Sequence, residues 1–331
     1  MPVRARRLPA ALALIGLIAI AAWLTPTPAA WAQANRPVRI GALTASWGPT
    51  PGIVGLRAGL IERGYREPED FVIGVRFTQG DLTAISTATR ELVEQKVDIL
   101  VVGTGAEARA AQEVTSRIPI VLIGGGDPVA QGLAKSFARP GGNLTGVVNQ
   151  DELAPKRLEI FRGIVPGLKR VLFVHDPANP YTAHELTSYR DGARRLGLTL
   201  VERPVGTRDE ARAALAGLRR REVNGILAPW EMSLNIPGLV LEAAARLSIP
   251  TMFPDPFYVE QGGLASYSPD HQESGRLAAR LVDKIVRGTP PGDIPIELDN
   301  RIHFALNLKA ARAIGLRVPP EMLLRTNRVI D

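Results

Sequence analysis

The chain has 331 residues, a formal net charge of +7 and no cysteine. The length predicts about two domains, and the absence of cysteine excludes disulfides, thiolate metal sites, cysteine nucleophiles and a lipid-modified cysteine. The basic residues form no cluster with interleaved aromatic side chains, so the charge does not indicate nucleic-acid binding.

The N-terminus has the pattern of a secretory signal peptide. Arg4, Arg6 and Arg7 precede an apolar run over residues 10–24, and an Ala-Trp-Ala sequence ends at Ala32. The run is shorter than the roughly 20 residues of a membrane span, which favours a cleaved signal over an uncleaved membrane anchor. Loss of the three arginines lowers the net charge from +7 to +4. We therefore expect a mature protein free in the periplasm, exported by the general secretory or the twin-arginine route.

The following residues alternate short apolar runs with segments of helical periodicity. The first series of predicted strands covers 38–43, 71–77, 99–102, 118–123 and 144–148, with helices at 51–63, 82–95 and 106–116. The second series has helices at 158–164, 183–196, 211–221 and 240–247, with strands at 171–174, 198–201, 223–227 and 249–253. Such alternation predicts parallel sheets connected by right-handed crossovers, and two series predict two similar lobes.

The end of the chain breaks this alternation and predicts a hinge. It has a strand at 264–267, a helix at 273–287, extended segments at 294–298 and 302–306, and a short helix at 308–314. These elements are too few for a third domain, so we expect the chain to cross back into the first lobe and then into the second. The predicted fold class is α/β, with two three-layer α/β/α lobes that contain parallel sheets and are joined by a multi-crossover hinge. The predicted boundaries are 1–32 for the signal peptide, 36–147 with 264–290 for the first lobe, and 148–263 with 291–331 for the second.

Ligands of open α/β sheets lie beyond the carboxyl ends of the strands, so the residues that follow each strand are the candidate site. Glycine N–H groups at 103 and 105 can approach an anion, carboxylates can meet an ammonium group, and aromatic rings can line an apolar wall. The alternative is that several of these residues are helix caps or turns, as Asp127-Pro128 and Asp176-Pro177 indicate. The candidate ligand-binding residues are Ser46, Trp47, Thr104, Gly105, Ala106, Gly126, Asp127, Asn149, Asp151, Asp176, Asn179, Trp230, Glu231 and Asp255.

Enzyme and cofactor sites are poorly supported by the sequence. Residues 103–108 match G-x-G-x-x-A between a strand and a helix, but the dinucleotide fingerprint belongs to the first strand–helix turn, and here the motif follows the third strand. The four histidines match no metal-binding spacing, and no G-x-S-x-G sequence is present. We predict no catalysis, no metal and no cofactor.

A series of short motifs along the chain resembles the tryptophan/tyrosine type of ABC-transporter substrate-binding proteins, which have the type I periplasmic-binding-protein fold. The motifs include the sequences at 118–121, 126–129, 138–146, 156–159, 165–167, 177–180, 262–264 and 307–311. The resemblance implies a two-lobed protein whose strand-end residues hold the carboxylate and ammonium groups of an aromatic amino acid. By position, Ser46, Thr104, Gly105, Asp127 and Asn149 belong to the first lobe and crossing, and Asp176, Trp230, Glu231 and Asp255 to the second.

Two turns depart from the family's pattern. Relatives often have Thr-Pro-Ala where this chain has Thr104-Gly105-Ala106, and Thr-Asp or a similar pair where it has Trp230-Glu231. The departures weaken the transfer of an amino-acid ligand more than the transfer of a binding role.

The expected partners are a small-molecule ligand and an ABC permease in the inner membrane, with no nucleic acid and a monomeric state. The mechanism is closure of the hinge around the ligand. An alternative is an exported binding protein that senses its ligand and signals to a membrane receptor. A transcription regulator of the same fold would need a helix-turn-helix segment, and none precedes Val38.

Overall fold

The computed structural model describes residues 36–46, 50–79, 81, 83–149, 153–230 and 234–331. The predicted signal peptide and three candidate site residues, Trp47, Asp151 and Glu231, lie outside these ranges. No helix within the described ranges is long and apolar enough to cross a membrane.

The first half of the chain builds a parallel sheet. Its strands are β1 (Val38–Thr44), β2 (Phe71–Phe77), β3 (Ile99–Val102), β4 (Ile120–Ile123) and β5 (Leu144–Asn149). The connecting helices are α1 (Pro51–Glu62), α2 (Ala84–Glu94) and α3 (Gly105–Val114). Every residue of β3, β4 and β5 is buried, which explains the uninterrupted apolar sequences of β3 and β4.

The next part repeats the arrangement. Its strands are β6 (Arg170–His175), β7 (Thr199–Pro204), β8 (Gly225–Leu227), β9 (Thr251–Phe253) and β10 (Ala265–Pro269). Its helices are α4 (Ala154–Ile164), α5 (Pro180–Leu196), α6 (Arg208–Ala216), α7 (Ile236–Leu247) and α8 (Pro256–Glu260).

The last elements are divided between the two lobes. They are α9 (His271–Val286), a 3-10 helix (Pro291–Asp293), β11 (Glu297–Asp299), β12 (Ile302–Asn307), α10 (Leu308–Ala313), α11 (Pro320–Leu323) and β13 (Arg328–Ile330). The first sheet has the order β11-β5-β4-β3-β1-β2 and the second β13-β12-β10-β9-β8-β6-β7. Only the pair β10 and β12 is antiparallel in the described sheets. Separate apolar clusters cover the faces of each sheet, which confirms the predicted α/β class with two three-layer lobes.

The chain passes between the lobes three times, and two of the predicted lobe boundaries differ from this arrangement. The strand β10 belongs to the second sheet rather than the first, so the second crossing lies between Pro269 and His271. The strand β11 pairs with β5 in the first sheet, so the third crossing lies between Asp299 and Ile302. Periodicity reveals a strand, but the sheet that it joins is decided by the core against which its side chains pack.

Close contact between α1 and α9 holds α9 on the first lobe. A Cβ atom at Gly55 would lie 1.7 Å from the carbonyl oxygen of Gln272, and one at Gly275 would lie 2.0 Å from that of Gly52. These glycines let the two backbones approach more closely than any larger residue permits. The N-terminus of α9, which begins at His271, is thereby positioned at the edge of the first lobe.

Candidate functional site

The carboxyl ends of the strands of both sheets open into one cleft between the lobes. Its volume is about 1920 Å³, which exceeds the roughly 300–1,000 Å³ of a typical small-ligand pocket. A cleft of this size leaves room for the lobes to approach each other around a small ligand.

Ten of the candidate residues line this cleft. They are Ser46, Thr104, Gly105, Ala106, Asp127, Asn149, Asp176, Asn179, Trp230 and Asp255. Gly126 is buried with φ +73° in the turn after β4 and does not line the described part of the cleft. The strand-end rule therefore brings residues from both lobes to one place, and their role in binding stays a prediction.

The N-terminus of α3 is occupied by a side chain of the same helix. The Glu107 carboxylate accepts hydrogen bonds from the N–H groups of Ala45 at 3.0 Å, Gly103 at 2.7 Å and Thr104 at 3.0 Å. Thr104 Oγ1 accepts from the Glu107 N–H at 3.2 Å, which completes a capping box. Burial raises the pKa of the Glu107 carboxyl to about 7, against the lowering effect of these N–H donors.

This arrangement corrects one expectation for the β3–α3 loop and argues against one alternative. The N–H group of Gly103 is not free for a ligand anion, because Glu107 holds it. The same carboxylate holds the N–H groups of Gly103 and Thr104 that would face a pyrophosphate, so the G-x-G-x-x-A sequence does not form a dinucleotide site.

Two of the candidate carboxylates form turns at the rim of the cleft. Asp127 Oδ1 accepts from the N–H groups of Val129 at 2.8 Å and Ala130 at 3.0 Å. Asp176 Oδ1 accepts from the Ala178 N–H at 2.8 Å. These are the contacts of turns, which the sequence analysis gave as the alternative to ligand binding for the two Asp-Pro sequences.

Asp255 is the buried carboxylate of the second lobe's cleft wall, with 3% of its surface exposed. Its Oδ1 accepts from the N–H of Phe257 at 2.8 Å, and no lysine, arginine or histidine pairs with it among the described residues. Burial raises the pKa of its carboxyl to about 6, and the charges of Glu260 and Asp270 make smaller contributions to this rise. A buried carboxylate without a cation is costly unless a partner arrives, so this position favours a cationic group on the ligand.

Asn149 joins the three crossing segments. Its Nδ2 donates to Ser274 Oγ at 3.1 Å and to the carbonyl oxygen of Asp299 at 3.3 Å. The Ser274 hydroxyl lies 2.9 Å from Asp270 O and 3.0 Å from Asp299 Oδ2, and its single proton goes to one of them. Arg301 Nε in turn donates to Asp299 Oδ1 at 2.9 Å. The amide donors of Asn149 are therefore used by the hinge, and its buried Oδ1 has no partner among the described residues.

Three cleft residues were missed by the sequence analysis. The Arg157 guanidinium of α4 donates to Glu185 Oε1 at 2.7 Å and to the carbonyl oxygen of Tyr267 at 3.0 Å. Glu185 Oε2 accepts from the Trp230 N–H at 3.3 Å. The third missed residue is His271. It follows β10, a strand that the predicted boundaries place in the first lobe and the structure places in the second. Arg157 and Glu185 lie on helices, where no sequence signal separates them from solvated charges.

The described cleft wall is predominantly acidic. Nine carboxylates line it, opposed by four arginines. The acidic residues are Glu107, Asp127, Asp176, Glu185, Glu242, Asp255, Glu260, Asp270 and Glu273. Such a wall attracts a ligand that carries positive charge.

A family model described as ABC transporter substrate binding protein matches residues 51–330. A tyrosine-binding protein from Clostridioides difficile strain R20291 is 24% identical over 264 residues, which cover 80% of this chain and 76% of the relative.

Solved structures share the two-lobed fold. An ABC domain in complex with L-Trp from Streptococcus pneumoniae has a TM-score of 0.76 at 23% identity, over 89% of this chain and all of that chain. A ligand-free, open substrate-binding protein with adhesive properties from Clostridium difficile has a TM-score of 0.61 at 21% identity, over 88% of this chain and 99% of that chain.

Proposed function

This chain belongs to the family of ABC transporter substrate-binding proteins, and from that premise we propose that it binds a small ligand with an ammonium group between its lobes. The first candidate is an aromatic amino acid, and the ligand is delivered to an ABC permease in the inner membrane. Members of the family are binding proteins rather than enzymes, in agreement with the prediction of no catalysis.

The observation that carries the proposal is the environment of Asp255. Its carboxylate is buried in the cleft wall, has one backbone donor and has no cationic partner among the described residues. An ammonium group supplies both the positive charge and the further hydrogen-bond donors that this carboxylate lacks on the side that faces the cleft. The predominantly acidic wall supports the same ligand charge.

The other ends of an amino acid also find suitable surroundings. The N–H of Ala106 is in the first turn of α3 and has no intrahelical acceptor, so it can receive a carboxylate at the positive end of the helix. The indole of Trp230 offers an aromatic wall. The names of the tyrosine-binding relative and of the L-Trp complex support an aromatic amino acid as the first ligand to test.

Delivery requires that the ligand changes the conformation that the permease meets. We infer that the ligand bridges the lobes and stabilises a closed form, because it gains contacts to both walls only when they approach. We further infer export through the predicted signal peptide, a periplasmic location and a monomeric state.

The test compares ligands with and without the ammonium group by isothermal titration calorimetry and thermal shift. The probes are L-tyrosine, L-tryptophan and L-phenylalanine, each with its deaminated propionate. We expect the amino acids to bind and the propionates to bind at least tenfold more weakly. A ligand at one hundred times its Kd stabilises the fold by about 2.7 kcal/mol, which raises the Tm measurably.

Asp255→Asn separates the charge from the fold. Asparagine is also a good N-cap residue and keeps the acceptor for the Phe257 N–H, so the variant should fold and lose at least tenfold in affinity for the amino acids. Asp81→Asn makes the same chemical change at a first-lobe turn carboxylate that accepts from the Thr83 N–H and lies outside the described cleft lining, so it should bind like the wild type. Equal affinity for amino acids and propionates, or unchanged binding by Asp255→Asn, contradicts the proposed ligand class.

A further inference from the structure

A pair of aromatic rings crosses the cleft, one from each lobe. The centroids of the Trp230 indole and the His271 imidazole lie 5.0 Å apart, with an angle of 43° between the planes. Trp230 follows β8 in the second lobe, and His271 begins α9, which packs on α1 in the first lobe. Both residues line the cleft and are partly exposed.

The backbone that carries each ring is held by contacts within its own lobe. The backbone N–H of Trp230 donates to Glu185, whose carboxylate is paired with the buried Arg157 guanidinium. The backbone of His271 is fixed by the glycine-mediated approach of α9 to α1, and Asp270 caps the helix by accepting from the Glu273 N–H at 2.9 Å. The two rings therefore belong to different lobes and meet at one corner of the cleft.

The imidazole of His271 is neutral at physiological pH. Burial lowers its pKa to about 4, with Arg157 acting in the same direction and Asp270 and Asp299 in the opposite one. Its ring nitrogens make no hydrogen bond within the described part of the chain. A neutral imidazole has one N–H donor and one acceptor nitrogen, so it can both give and receive a hydrogen bond from a ligand.

We infer that His271 is a specificity-determining residue, which selects a ligand whose aromatic ring carries a hydroxyl or N–H group over one with an unsubstituted hydrocarbon ring. This inference rests on the proposed function. Trp230 packs against the ligand's ring from the second lobe, and His271 forms a hydrogen bond with the polar group from the first. A ring without that group leaves a desolvated imidazole without a partner, which is the usual basis of such discrimination.

The test is the ratio of affinities for L-tyrosine and L-phenylalanine, which differ by one hydroxyl. We expect the wild type to bind L-tyrosine on the order of tenfold more tightly, the usual worth of one hydrogen bond. His271→Phe keeps a ring beside Trp230 and removes both nitrogens, so it should bring the ratio to about one without loss of L-phenylalanine binding. His175→Phe makes the same change at a histidine outside the described cleft lining and should keep the wild-type ratio.

The outcomes separate the inference from the proposal on which it rests. An unchanged ratio in His271→Phe overturns the inference alone. Stronger binding of L-tyrosine by this variant also overturns it, because the imidazole would then contribute nothing to recognition of the hydroxyl. If the wild type binds neither amino acid, the proposed amino-acid ligand fails and the inference fails with it. Should His271→Phe lack a cooperative melting transition, His271→Leu replaces it in the same ratio measurement.

Discussion

At the scale of single residues, the cleft is marked by carboxylates whose environments differ. Asp127 and Asp176 have backbone donors at the rim, whereas Asp255 is buried with a single donor. Burial raises the pKa of the Asp255 carboxyl to about 6, above its usual value of 3.8. In the ligand-free protein, the ionised form of this residue is therefore a source of instability that an ammonium ligand removes.

The pKa of Asp255 makes a prediction about stability against pH. Because the folded-state pKa is raised, the folded protein binds more protons than the unfolded chain between pH 3.8 and about 6. Stability is then lost as the pH rises through this window, by about 3 kcal/mol for this group. Between pH 4 and pH 7.5, the free energy of unfolding of Asp255→Asn, measured in urea, should rise relative to that of the wild type by up to that amount. Parallel stability profiles for the two proteins would contradict the assigned pKa.

At the scale of elements, the contact between α1 and α9 determines where the first wall of the cleft stands. Gly52, Gly55 and Gly275 allow the two helix backbones to touch, and α9 then presents His271 and Asp270 to the cleft. A helix with glycine at these positions is intrinsically weaker by about 1 kcal/mol per residue, so tertiary packing stabilises it.

Substitution of Gly55 by alanine should therefore disturb the whole contact between α1 and α9. The added Cβ would lie 1.7 Å from the carbonyl oxygen of Gln272, and the backbones must move apart. We expect a loss of at least 1–3 kcal/mol in the free energy of unfolding by urea denaturation. Gly74→Ala is the matched control, because a Cβ there meets no atom within 4 Å and its stability should stay within about 0.5 kcal/mol of the wild type. A Gly55→Ala protein as stable as this control would show that α1 and α9 are packed less closely than the structure indicates.

At the scale of the whole molecule, one polar cluster links the three crossings of the chain. Asn149 ends β5, Ser274 lies in the first turn of α9, and Asp299 ends β11. Their hydrogen bonds join the three segments at the hinge, so the segments are expected to move as one unit when the lobes close.

Asn149→Ala should loosen all three segments together. Hydrogen exchange followed by mass spectrometry should speed up near residue 149 and also over 270–274 and 299–301, because buried groups there lose their partners. Asn143→Ala is the control, since Nδ2 of Asn143 is also buried and donates to two carbonyl oxygens, those of Thr115 and Ile118, inside the first lobe. Faster exchange confined to the neighbours of residue 149 would mean that the crossings are not coupled by this cluster.

The sequence by itself determined the α/β class, the two lobes and the strand ends that line the cleft between them. Apolar runs and helical periodicity are local properties, and the rule that ligands lie beyond strand ends needs only the order of elements. That rule brought Thr104, Asp176 and Asp255 to one cleft. It also treated the Gly103 N–H as available, because no pattern shows that Glu107 turns back onto it.

Only the tertiary structure decided which sheet receives β10 and β11, and with it the positions of the second and third crossings. A short extended segment can join either sheet, and the choice depends on packing with other segments of the chain, such as that of β11 with the distant β5. For the same reason His271 is a scattered histidine in the sequence and a wall of the cleft in the fold. The contact of His271 with Trp230 depends on two lobes whose relative position no local pattern encodes.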